Sequence, residues 1–237
     1  NSSGVAGLPQ GYAEQDPNQL LSISIKVLRQ LAEQVSGEFV HCLGITGQMH
    51  GTVLLDKYQN PISNLVTWQD QRANDNVPGT RTTYLEQYLA RCEPSMLENT
   101  GCRLSLGYLA TTLHVLGSRQ QIPRTTRFAA FFADWLGAKL ADTEIVTDRS
   151  NAAGSGVYDL QNDCWSDELI SAGGLNYRLF PSVRESGEVI GKLSREIATE
   201  TGLTAGLPIC NAIGDNQASI LGSVAVGNPA IQINVGT

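Results

Sequence analysis

The sequence predicts an α/β fold, and three observations carry that reading. Apolar runs of strand length recur at Val40–Ile45, Thr52–Asp56 and Leu207–Ile213. Stripes of helical spacing stand between and around them, and glycine-bracketed polar loops mark the changeovers. With 237 residues, 41% hydrophobic and 16% charged, the chain can bury a substantial core as one large domain or two small ones.

The first helix is expected to open at Ala13-Glu14-Gln15-Asp16-Pro17, proline being suited to a first turn. Its stripe of Leu20, Leu21, Ile23, Val27, Leu28 and Leu31 reads as core. Val40–Ile45 follows as a strand, then the loop Thr46-Gly47-Gln48-Met49-His50-Gly51, then the second strand-like run, Thr52–Asp56. Leu65-Val66-Thr67 leads into Trp68-Gln69-Asp70-Gln71-Arg72. Helical patterns at Arg81–Leu89 and Thr111–Leu116 flank the Glu93-Pro94 break and a Gly101–Gly107 loop. Phe128–Leu140 reads as one helix with Phe131, Phe132, Trp135 and Leu136 on a crowded apolar face; Asp134 on it could approach the site, but with no second polar group beside it a helix-surface carboxylate is the favoured reading. Finally the Leu207–Ile213 strand delivers Gly214-Asp215-Asn216-Gln217 to a helical pattern at Ala218–Val224.

Composition excludes several classes of function. A formal net charge of -7, with no clustered Lys/Arg run, opposes attraction to nucleic acid or an anionic membrane. No segment approaches about 18 uninterrupted apolar residues, and no basic region leads into a hydrophobic stretch at the start. The expected compartment is the cytoplasm. Cys42, Cys92, Cys102, Cys164 and Cys210 are odd in number and form no CxxC pair, so reduced thiols are expected, with Cys42 and Cys210 as small hydrophobes in strands. Three scattered histidines give no metal-ligand spacing, and no structural metal is expected.

Three loops hold the candidate chemistry. Asp215 sits at a strand-to-helix switch, where open α/β sheets bind small ligands; an N-cap for the following helix is the competing role. Gln48, Met49 and His50, bracketed by glycines, offer two hydrogen-bonding groups and one adaptable apolar contact, a set suited to a polyhydroxylic ligand or to an ordinary hairpin. Trp68 can stack on the C–H face of a sugar while Asp70 and Arg72 fix hydroxyls; the alternative is a surface ion pair beside a core tryptophan.

Taken in order, GITGQMHG at Gly44–Gly51, LVTWQDQR at Leu65–Arg72, TDRSNAAGSGVYDL at Thr147–Leu160 and GDNQAS at Gly214–Ser219 resemble the FGGY family of carbohydrate kinases. Glu14–Pro17, Trp165 after Tyr158-Asp159-Leu160, and Ile233–Thr237 also fit. The resemblance implies a mixed sheet of the ribonuclease H-like and actin-like ATPase type. The chain would be a partial N-terminal domain, lacking the family's first strands and their DxGTT-like loop. Residues 1–227 would form the sugar-binding domain and 228–237 the start of the ATP-binding domain, within a protein of about 450 to 500 residues. Sheet edges and an apolar face would then lack their neighbours.

The Met49-His50 pair resembles the ketose-kinase branch. LVTWQDQR, the SNAAG stretch, GDNQAS and the Gly101–Tyr108 segment stand nearer to sedoheptulokinases than to xylulokinases. The resemblance implies ATP-dependent phosphorylation of a ketose, sedoheptulose ahead of xylulose, with a non-catalytic sugar-binding or regulatory piece as the other reading. It makes Asp215 the general base, has Asn216 and Gln217 orient hydroxyls, and places Met49 and His50 at the ketose end. Gln48 counts with them as substrate-binding, and Trp68, Asp70 and Arg72 would shape or buttress the pocket. Gly236 and Thr237 would approach the phosphates of ATP, whose Mg2+ would be held mainly by groups outside this chain. A ketose and ATP are the expected partners, and a homodimer is a compatible assembly.

Overall fold

The fold is described from a computed structural model covering residues 4–35, 40–98, 100–101 and 103–223. Gly236, Thr237, the expected 228–237 segment and Cys102 lie outside these residues.

Strand β1 (Glu14–Gln15) precedes helix α1 (Pro17–Gln34). Asp16 caps the helix by accepting from Asn18 N and Gln19 N, and Pro17 occupies the first turn. The stripe expected as core divides. Leu20, Leu21 and Leu28 are half-buried against neighbouring clusters and Ile25 is buried, whereas Ile23, Val27 and Leu31 are 38%, 46% and 51% exposed. The helix docks on one side only, so the other side of a stripe this broad has nothing described to cover it.

The segment expected as a strand at 40–45 joins the sheet late. Leu43 bridges Ile209 in parallel, and the strand proper is β2 (Thr46–Gly47). Cys42 is therefore exposed, not a strand hydrophobe, while Cys210 is half-buried. Strands β3 (Val53–Leu55) and β4 (Leu65–Val66) follow, then α2 (Tyr84–Leu89), α3 (Pro94–Glu98) and α4 (Leu109–Ser118). Helix α2 starts at Tyr84, later than the periodicity implies, because Thr83 and Glu86 form a reciprocal capping box worth about 1 kcal/mol.

The expected single helix at 128–140 is two elements. Phe128–Ala130 is strand β5, paired antiparallel with β3 in the register Val53↔Ala130 and Leu55↔Phe128, and helix α5 runs Phe132–Ala141. An apolar run buried on all sides carries no period to separate strand from helix. Next come β6 (Val146–Asp148), α6 (Arg149–Ala153), β7 (Tyr158–Asp159), β8 (Cys164–Trp165) and α7 (Asp167–Ala172). The chain then forms β9 (Ser182–Arg184), β10 (Val189–Lys192), α8 (Arg195–Thr201), β11 (Pro208–Cys210), β12 (Ile213–Gly214) and α9 (Asp215–Ser223). The expected 207–213 strand is thus broken at Asn211-Ala212, and the last helix begins at Asp215 itself.

Two parallel pairings matter for the site. β12 lies beside β2 (Ile213↔Thr46, Gly214↔Gly47), and β9 beside β6 (Val146↔Ser182, Asp148↔Arg184). One core gathers Tyr88, Leu109, Leu113, Tyr158 and Trp165; a second holds Val53, Leu55, Leu65, Trp135 and Ile145. Helix α5 lies between the second core and a third, around Leu140, Leu193, Leu207 and Ile209, so its faces are all covered. Asp134 is accordingly 2% exposed, which corrects its placement on the helix surface.

Candidate functional site

Because β2 and β12 are adjacent and parallel, the loops that leave their carboxyl ends arrive side by side, the usual place for a ligand in an open α/β sheet. Together with Trp68 after β4, the α6 segment and the Leu160 turn, they enclose a cleft of about 460 Å³. Met49, His50, Trp68, Asp215, Asn216 and Gln217 all line it. Six candidates from three distant parts of the sequence therefore converge.

The cleft is built on tight backbone approaches. Gly107 has φ +71°, and a Cβ there would lie 2.1 Å from the Trp68 carbonyl oxygen, so only glycine lets the chain entering α4 at Tyr108 reach the Trp68 loop. Tyr108 then stacks flat on His50, ring centroids 4.1 Å apart and planes 5° from parallel. His50 itself has φ 74°, a left-handed conformation uncommon outside glycine. Its Nδ1 stands 2.8 Å from the Gly154 carbonyl oxygen. A carbonyl can only accept, so Nδ1 carries the proton and Nε2 is left as an acceptor. Burial pushes the imidazole below its usual pKa, against the Gly154 hydrogen bond and the Asp215 charge, which both favour the cation.

Met49 is 9% exposed and contacts the backbone of both flanking loops: a Cβ on Gly214 would lie 2.6 Å from its Sδ, and one on Gly154 3.2 Å from its Cε. Asp215 is exposed at the start of α9, its Oδ1 accepting from Asn216 N at 2.8 Å. Gln217 Oε1 is buried with no hydrogen-bond partner among the described residues.

Three candidates stand back from the cleft. Gln48 Nε2 donates to Gln15 Oε1 (2.9 Å) and lines an adjoining cavity with Tyr12, Glu14 and Thr67. Asp70, 1% exposed, accepts from Arg72 Nε (2.8 Å), Arg72 N (2.9 Å) and Ala13 N (2.8 Å). Arg72 Nη2 also donates to Glu14 Oε1 at 2.6 Å, and the guanidinium lies over the Tyr12 ring. This is a buried network that anchors the Trp68 loop and not a surface pair, and neither side chain lines the cleft.

Sequence reasoning assigned no site role to Ser150, Gly154, Leu160 or Tyr108, which also belong here. The Asp148-x-Ser150-Asn151 pattern before a run of small residues was the available signal, since it marks a helix N-terminus aimed at a loop. Asp134 lies deeper. Its Oδ1 accepts from Asn151 Nδ2 at 3.0 Å, and Asn151 Oδ1 is buried with no hydrogen-bond partner among the described residues. Burial holds the Asp134 carboxyl well above the usual carboxylate range, opposed by the Thr147 hydroxyl and the Asn151 bond and reinforced by the nearby Asp148 charge.

Fold and site together define an α/β lobe with a small-molecule cleft at the carboxyl ends of parallel strands. Residues 6–222 match the N-terminal domain of the FGGY family of carbohydrate kinases, and the chain belongs to that family. A xylulose kinase of Escherichia coli strain K12 is 30% identical over 227 residues, covering 95% of this chain and 45% of that kinase. The solved structure of a xyloylose kinase from Brucella ovis superposes with a TM-score of 0.75 at 28% identity, covering 90% of this chain and 43% of that one. A ligand-bound xylulose kinase from Lactobacillus acidophilus gives 0.80 at 19% identity, over 92% and 43%. The lobe thus has the actin-like ATPase fold of its structural neighbours, and the chain spans about half the length of the relatives it matches. No helix among the described residues is long and apolar enough to cross a membrane.

Proposed function

We propose that this chain forms the sugar-binding half of an ATP-dependent ketose kinase, with Asp215 as the general base. The observation that carries the reading is the convergence of Asp215, His50 and Trp68 on one cleft. A proton acceptor, an orienting acceptor and a stacking surface are what a polyol acceptor of phosphate needs. Asp215 takes the proton of the sugar hydroxyl as its oxygen bonds to the terminal phosphorus of ATP and the bond from phosphorus to the bridging oxygen breaks. Asn216 and Gln217 orient hydroxyls, Gln217 with an acceptor that lacks a partner among the described residues. His50 Nε2 accepts a hydrogen bond from a hydroxyl, Met49 gives the apolar floor, and Trp68 lies against the C–H face. Gln48, Asp70 and Arg72 act from behind, holding the loops.

The described residues do not form a metal cage. No group of three or more His, Cys, Asp or Glu side chains converges among them, and Asp215 is the one carboxylate lining the cleft. Mg2+ and the phosphates of ATP would meet groups outside the described residues, where Gly236 and Thr237 and the proposed 228–237 boundary also fall. For the acceptor, the xylulose kinases among the relatives move xylulose ahead of sedoheptulose, reversing the order drawn from the motifs.

In the full-length protein, a coupled ADP-release assay should rank xylulose and sedoheptulose above ribulose and glycerol. Asp215→Asn should lower kcat by about 10³-fold or more with sugar affinity within about threefold, the pattern of a group acting in the transition state. Turnover surviving the substitution, or glycerol as the best acceptor, would overturn the reading.

A further inference from the structure

Asp215 is exposed and holds only its own neighbour's N–H in the described contacts, so something else must fix the turn that presents it. The residue before it supplies the answer. Gly214 N–H donates to Ser150 Oγ at 2.8 Å, across 64 residues of sequence. The Ser150 hydroxyl in turn donates to the Asp148 carboxylate, 2.9 Å from Oδ1 and 2.8 Å from Oδ2. Asp148 is fully buried and is held by two further donors, Asn151 N at 2.8 Å and Ser186 Oγ at 2.7 Å.

We propose that Ser150 is a positioning residue for phosphoryl transfer: as the acceptor for Gly214 N–H, anchored on buried Asp148, it sets the angle at which the Gly214–Asp215 turn meets the cleft. The inference rests on the reading of Asp215 as the base and adds how that base is aimed. Several features favour this role over plain structural support. Ser150 lines the cleft, yet its single proton is committed to Asp148, which leaves its oxygen facing the Gly214 N–H. Gly214 is buried and crowded by Met49 and Gln217, so its N–H has little freedom to find a substitute acceptor or water. The same chain ties the 148–151 segment and Ser186 to the 214–215 turn, whereas strand pairing joins Asp148 to Arg184 and Gly214 to Gly47 but neither pair to the other. A hydrogen bond to the backbone next to a general base acts on geometry, and geometry enters kcat more than it enters ground-state binding.

The test compares Ser150→Ala, Ser150→Thr and Asp215→Asn in the full-length protein, measuring ADP release against xylulose and sugar affinity by calorimetry. Ser150→Ala should lower kcat about ten- to hundredfold, the cost of sub-ångström misplacement, while the sugar Kd changes less than about threefold. Ser150→Thr, which keeps the hydroxyl, should recover most of the loss. Ser150→Ala in the Asp215→Asn background should cost nothing further, because there is no base left to aim. If Ser150→Ala does not fold, Ser150→Cys keeps the volume with a weak acceptor and gives the same reading. Wild-type kcat in a folded Ser150→Ala or Ser150→Cys protein, or equal losses from Ser150→Thr and Ser150→Ala, overturns the role of Ser150. An active Asp215→Asn protein instead overturns the assignment of the base, so the two failures are distinguishable.

Discussion

At the scale of single residues the site depends on His50 staying neutral. Its Nδ1 proton is committed to the Gly154 carbonyl and its ring is covered by Tyr108, so a ligand hydroxyl meets an acceptor at Nε2 only while no second proton is bound. Burial holds its pKa below the usual imidazole value of about 6.5. Sugar affinity should therefore be flat through neutral pH and weaken as pH falls through the lowered value. Stability follows the same direction: the unfolded chain takes up the proton first, so acidification from the usual imidazole range toward the lowered one costs folding free energy. Calorimetric sugar titrations from pH 5 to 8 check this, with His50→Gln removing the acid limb while keeping an acceptor. Gly107 sets a second residue-scale constraint. Alanine there would carry a left-handed φ and place its Cβ 2.1 Å from the Trp68 oxygen. Gly107→Ala should cost at least about 1–3 kcal/mol of stability, read as a drop in urea midpoint, and should weaken sugar binding by disturbing the stack on His50.

At the scale of elements, helix α5 shows both what was legible and what was not. Its apolar crowding announced burial, and the loops at 46–51, 68–72 and 214–217 could be placed at strand ends because glycine and a polar cluster break the pattern there. What failed was any inference that needed to know which faces are covered. Phe128–Ala130 pairs with β3, and Asp134 is enclosed, because other elements close over them; one sequence window contains neither fact. The same limit hid Ser150 and Tyr108, whose roles come from partners 64 and 58 residues away in the chain. Asp134 gives the element-scale prediction. Its raised pKa means the native protein holds a proton that the unfolded chain gives up first, so Asp134 subtracts stability increasingly as pH rises from about 4 toward its native value. Asp134→Asn keeps the shape and the acceptor for Asn151 Nδ2 while removing the group that must ionise. The variant should melt higher than the wild type at pH 8 and gain little at pH 4, a difference that paired thermal scans would resolve. A lower melting temperature at both pH values would mean that the carboxyl is not the neutral species.

At the scale of the whole molecule, the apolar side of α1 is out of balance with the rest of the surface. Ile23, Val27 and Leu31 recur every fourth residue and so form one continuous strip, with Val35 exposed just past the last turn. Fully burying one such side chain contributes about 1.5–3 kcal/mol, so a partner that covered the strip would gain a sizeable fraction of a domain's net stability. The chain spans about half the length of the relatives it matches, and in a longer polypeptide of that kind further residues would be there to cover the strip; the 237-residue chain by itself would instead present it to water and to other copies. Replacing all three residues with glutamine, a good helix former, leaves the buried side of α1 untouched. In the isolated 237-residue chain the triple variant should therefore keep its melting temperature, bind less hydrophobic dye and self-associate less. In the full-length protein the same variant should melt lower, because covered side chains would have been lost. An unchanged melting temperature in the full-length protein would show that the strip is exposed there too, and the surface would then be free for a separate partner.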